Sequence, residues 1–213
     1  MNSRSHVGFW LAVFVLIFFI SPVFRSGEGL EQAAVNELEM TRETFGGRVG
    51  DWLDEHASFV FRLSERMGPT GMLQQTQLSS KQLALTKKVA AGPGLGAAVA
   101  FNSYLKALVL NTYVMILRAL VVTVWMLVLL PLLIAALVDG FAQRAIKRSE
   151  FGTIRPAAFA MGSLIVVPLG MAPVVYLIWP FEVPPSLAPI WAAVMTLPLA
   201  WTVSNMQPIF GKR

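Results

Sequence analysis

Asp139-Gly-Phe-Ala-Gln-Arg-Ala-Ile-Lys-Arg-Ser-Glu-Phe-Gly-Thr-Ile-Arg-Pro156 is a short polar stretch between two long apolar runs. It carries Arg144, Lys147, Arg148 and Arg155 against Asp139 and Glu150. A short, cation-rich loop flanked by membrane spans stays on the cytoplasmic side, because loops rich in Lys and Arg resist translocation. Placing this loop inside sets the orientation of every other segment.

The composition fits a membrane protein. Of 213 residues, 55% are apolar and 14% charged, where a soluble domain is expected to be about 25% charged. The net charge of +5 would point to nucleic acid if it were spread evenly. It is not: residues 25–118 hold ten Lys/Arg and nine Asp/Glu, so the excess sits mostly at the two termini and in the central loop. Those are the positions where topology alone demands cations. No direct contact with nucleic acid is expected.

Working outward gives an all-α integral membrane protein with four transmembrane helices and a helical extracytoplasmic segment between the first and second. Residues 1–6 are a cytoplasmic N-terminus and residues 7–24 the first span. A cleaved signal peptide is the alternative, but Ser21-Pro22-Val23-Phe24-Arg25 offers no small-x-small cleavage pattern. Residues 25–118 then lie outside, residues 119–138 form the second span, and residues 139–156 are the inside loop. The third span is 157–179, an outside turn covers 180–186, the fourth span is 187–203, and residues 204–213 are a cytoplasmic tail. The 20 residues of 119–138 rise about 30 Å, the thickness of a hydrocarbon core. The sidedness is self-consistent: the turn Pro180-Phe-Glu-Val-Pro-Pro-Ser186 has no cation, and the tail ends Gly-Lys-Arg. In the third span, Ala158 and Gly162 form a small-xxx-small pair that lets another helix approach. The expected location is the bacterial inner membrane, multi-pass, with both termini cytoplasmic.

In the outside segment, Glu28 to Arg66 reads as helical. Phe45, Val49, Trp52, Leu53, His56, Val60, Leu63 and Met67 recur at steps of three and four among charged residues. Gly46-Gly47 interrupts the pattern and Gly68-Pro69-Thr70-Gly71 ends it. Such a helix needs an apolar partner, in this chain or another. Residues 72–96 read as a partly ordered loop or short helix ending at Gly92-Pro93-Gly94. Gly92-Pro-Gly-Leu-Gly96 lacks the Lys-Ser/Thr of a phosphate loop and reads as a turn.

The chemistry of catalysis is missing from the sequence. There is no cysteine and there are two histidines, His6 and His56. His56 sits on or near the apolar helix face and reads as a core or interface residue. No HExxH, GxSxG or Walker motif occurs. No span carries Asp, Glu, Lys, Arg or His between its ends, which disfavours pumping and coupled transport. The expectation is a protein that is not an enzyme, with no catalytic, cofactor or metal-binding residues.

The loop and the chain beyond it resemble a known family. Leu137-Val-Asp-Gly140 before Arg144-x-x-Lys147-Arg148, then Pro173-Val-Val-Tyr-Leu-Ile-Trp-Pro180 and Val183-Pro184, are similar to the membrane proteins of integrating conjugative elements and plasmids. The layout of anchor, Trp-containing amphipathic helix and three further spans is similar too. The resemblance implies an inner-membrane structural or accessory component of a conjugative type IV secretion system, supporting DNA transfer beside the coupling ATPase. Expected partners are the lipid bilayer, that ATPase, other secretion-system membrane proteins and, as an alternative, a second copy of this chain. Arg144, Lys147, Arg148 and Arg155 are the candidates for contact inside; Trp52 and Phe59 are the candidates outside. An exclusion or immunity-type membrane protein is the competing expectation, and a small channel or permease a weaker one.

Overall fold

The computed structural model describes residues 3–23, 27–79, 81–82, 93–149 and 156–206. Among them the chain is all-helical, with seven α-helices and no strand. They are α1 (Ser3–Ile20), α2 (Gly27–Phe45), α3 (Gly47–Met67), α4 (Pro69–Thr76), α5 (Pro93–Ser149), α6 (Pro156–Ile178) and α7 (Leu187–Ser204). Three of them, α5, α6 and α7, are long and apolar enough to cross a membrane. The expected first span falls in α1 and the 3-10 turn Ser21–Val23 after it, where the apolar helical stretch Ala12–Val23 is shorter.

The break between α2 and α3 has a local cause. Gly46 adopts φ 83°, a left-handed conformation that side chains resist. One long amphipathic pattern therefore becomes two helices. At the other end of α3, Gly68 is extended and its N–H bonds back to the Ser64 carbonyl. Pro69 then opens α4 in the first turn, where its missing N–H costs nothing.

α5 differs most from expectation. It begins at Pro93, where the sequence predicts a turn, and runs unbroken for 57 residues. Asp139-Gly140 does not end it. A single interior Gly costs a helix only about 1 kcal/mol, and Phe141 to Ser149 contains no Pro or second Gly. Lys147 and Arg148 in its last turn oppose the negative end of the helix dipole. The basic segment is therefore helical as far as Ser149; residues 150–155, including Arg155, lie outside the described residues.

Two compact units make up the chain. The first is Met1–Val121 with Tyr176–Pro185. Its core combines Leu30, Ala33 and Ala34 of α2, Leu53 and Ala57 of α3, and Leu105, Leu108, Val114, Leu117 and Val121 of α5, all buried. The end of α1 is tied to α5 by polar contacts: Tyr104 donates to the Phe19 carbonyl at 2.8 Å, and Ser21 donates to Asn111 at 3.3 Å.

The second unit is Val122–Val175 with Ser186–Arg213. Here α7 is the common partner. A Cβ placed on Gly140 of α5 would stand 2.8 Å from the Ala200 carbonyl oxygen and from Val203 Cβ. Gly162 of α6 faces Thr202 even more closely, which is the close approach its spacing with Ala158 predicts. Leu127, Leu164 and Leu197 remain exposed, as befits helices whose surroundings are hydrocarbon.

Candidate functional site

The chemically densest place in the first unit is centred on Arg118 of α5. It starts from a spacing. Leu30, Ala33, Ala34, Glu37 and Thr41 fall at helical intervals, so the face of α2 that enters the core carries a carboxylate. Glu37 and Arg118 are each 3% exposed.

The two side chains meet as a fork. Arg118 Nε donates to Glu37 Oε2 at 2.9 Å, and Arg118 Nη2 donates to Glu37 Oε1. Nη1 donates to the carbonyls of Tyr176, at 3.2 Å, and Trp179. Nη2 also donates to the Phe181 carbonyl at 2.7 Å. The guanidinium has five N–H donors, and each finds an acceptor here. Two of the three carbonyls come from the end of α6 and the residue just beyond it, where helices leave acceptors without partners. The Tyr176 ring lies 5.9 Å from the guanidinium carbon.

This arrangement is closed. The carboxylate oxygens both accept, and no guanidinium hydrogen is left to bind a substrate. Its charges offset one another in a dry setting, where either alone would be costly. Its effect is to hold: it fixes α2, α5 and the turn after α6 to one another. Beside it, Asn36 donates to Glu182 at 3.4 Å, and Lys106 pairs with Glu31 at 3.4 Å.

In the sequence Arg118 reads only as a boundary charge, and Glu37 does not stand out. The signal is nonetheless present in α2, as an acid on the apolar stripe between Ala34 and Thr41.

The candidate cations belong to the second unit. Ala136, Gly140, Arg144 and Lys147 lie on one stripe of α5. Lys147 Nζ donates to Ser204 Oγ and to Asn205 Oδ1, each at 3.2 Å, at the end of α7. Ser204 and Asn205 are buried. Arg144 is half-buried, and its Nε is buried without a hydrogen-bond partner. Arg148 is exposed. The structure thus brings Arg144 and Lys147 to one side of α5 and leaves Arg148 open to solvent or a partner. Trp52 and Phe59 are both exposed on α3, 46% and 59%, and belong to the first unit. No group of three or more His, Cys, Asp or Glu side chains fit to hold a metal ion occurs among the described residues.

Comparison with known proteins adds one match. The model of a family described as "IncC plasmid conjugative DNA transfer protein DtrJ-like" matches residues 40–211, most of the chain. No curated protein and no solved structure matches.

Proposed function

The chain belongs to the DtrJ-like family of IncC plasmid conjugative DNA transfer proteins, and from that premise we propose that it is a non-enzymatic, structural component of the inner membrane in a conjugative type IV secretion system. Its role is in conjugative DNA transfer. In our reading α1 is a first span, so that four spans leave both termini in the cytoplasm. α2, α3 and α4 lie outside. The cationic end of α5 lies inside and meets the coupling ATPase that delivers DNA.

The observation that carries this reading is the form of the cationic segment. It is a continuation of an apolar helix, stiff to Ser149, with Lys147 clamped to α7 and Arg148 exposed. A topology signal needs only charge; a fixed, projecting helix end also presents a defined surface. Arg148 and Arg155 are the cations for direct contact, and Lys147 holds the segment in place.

The test is a photo-cross-linker at position 145, exposed one turn before Arg148, in the full chain, in donor cells, then purification in detergent. Recovery of the coupling ATPase, lost on Arg148→Gln with Arg155→Gln while the chain stays in the membrane, supports the reading. Unchanged DNA transfer by that double variant would overturn the docking role. A rise in transfer into recipients that lack the chain, with donor ability unchanged, would favour an exclusion function instead.

A further inference from the structure

The apolar part of α3 is wider than the chain itself covers. Gly50, Leu53 and Ala57 face the core of the first unit. Next to them runs a second stripe, Val49, Trp52, His56, Phe59 and Leu63, at alternating steps of three and four. Its four apolar members are exposed, from 37% at Val49 to 59% at Phe59. The His56 ring lies 4.1 Å from the Trp52 ring, centroid to centroid, so the imidazole is part of the stripe. Steps of three and four repeated along one face are the seam of a two-helix coiled coil.

We propose that this seam pairs α3 with α3 of a second copy of the same chain, in antiparallel orientation. The charges beside the seam select both the partner and the direction. Glu55 and Arg62 flank it on one side, both exposed. Set Trp52 of one copy against Leu63 of the other, and His56 against Phe59. Glu55 then falls beside Arg62 of the second copy, and symmetry repeats the pair. In a parallel pairing the same residues would face Val60 and Met67, which carry no charge. A lipid surface fits less well, because it would meet an imidazole in the middle of the stripe and a carboxylate and a guanidinium at its edge.

The proposal rests on the membrane-spanning reading of α5: two copies inserted the same way share one plane and can be related by a twofold axis.

The protein has no cysteine, which allows a clean test in native membranes. Two full-length chains with different tags, one W52C and one L63C, are co-expressed and oxidised mildly with copper phenanthroline. The expected product is the mixed 52–63 dimer, with little of either homodimer; a second pair, H56C with F59C, should link likewise. Glu55→Arg should lower the mixed-dimer yield about tenfold, because two attractions become two repulsions. Adding Arg62→Glu on the same chain should restore it. Homodimers at 52 and at 63 would overturn the antiparallel arrangement. Absence of every cross-link from a chain that resists carbonate extraction would overturn the seam and leave the membrane reading intact. Extraction by carbonate would overturn the membrane reading, and this proposal with it.

Discussion

The indole N–H of Trp191 donates to the Leu169 carbonyl at 2.6 Å. That carbonyl is the one whose helical partner, four residues on, is Pro173. Proline has no N–H, so α6 has an acceptor without a donor at this point, and α7 supplies one. Pro173 is tolerated here because a neighbouring helix replaces the donor it removes, as happens in spans that pack against one another.

Trp191→Phe should therefore destabilise the protein by about 1–3 kcal/mol, the usual cost of a buried group left unsatisfied. Pro173→Ala in the same chain should recover part of the loss, because position 173 regains its N–H. Thermal unfolding of the detergent-solubilised protein measures both. A Trp191→Phe loss that Pro173→Ala does not reduce would assign it to packing alone.

The Arg118–Glu37 pair predicts an asymmetry. Removing either partner strands a buried charge, at about 3–5 kcal/mol. Arg118→Met should be the more damaging, since it also releases the carbonyls of Tyr176, Trp179 and Phe181. Glu37→Gln keeps one acceptor oxygen and should cost less. Limited proteolysis after residue 178 would report the freed turn in Arg118→Met and not in Glu37→Gln.

Gly162→Leu should loosen the contact of α6 with α7, because the added side chain meets Thr202. Overpacking of this kind costs about 1–3 kcal/mol. Gly170→Leu is the control: a Cβ there meets nothing within 4 Å. Equal losses for the two variants would contradict the packing described.

Lys147 and Arg148 are adjacent but should behave differently. Lys147→Gln removes a charged donor from Ser204 and Asn205 and should lower stability by about 1–3 kcal/mol. Arg148→Gln should leave the melting temperature unchanged and lower transfer frequency. Measuring both quantities for both variants separates positioning from contact.

The sequence is most legible where pattern and composition act alone. Apolar runs mark the helices long enough to span, and Gly46 and Gly68 mark the ends of α3. Legibility fails where tertiary contact decides. Asp139-Gly140 reads as the point where the apolar run ends, yet Gly140 is where α5 lies against Ala200 and Val203. The Gly is there for closeness, and sequence alone does not separate that use from a break. Glu37 reads as one acid among many on a polar helix until the register of Leu30, Ala34 and Thr41 is set beside it. Lys147 and Arg148 are indistinguishable in a charge count; only the position of Ser204 and Asn205 tells them apart.

The closed set of donors on Arg118 also constrains biosynthesis. Glu37 leaves the ribosome before Arg118, but the carbonyls of Tyr176, Trp179 and Phe181 are made some sixty residues later. Until then Arg118 has one partner out of four, and the first unit is incomplete at the very place where α5 leaves it. Every stage of synthesis before the turn after α6 is made thus leaves a half-satisfied cation in the chain. A ribosome pausing before residue 181 would strand that intermediate, whereas synthesis of the turn would close it in a single step.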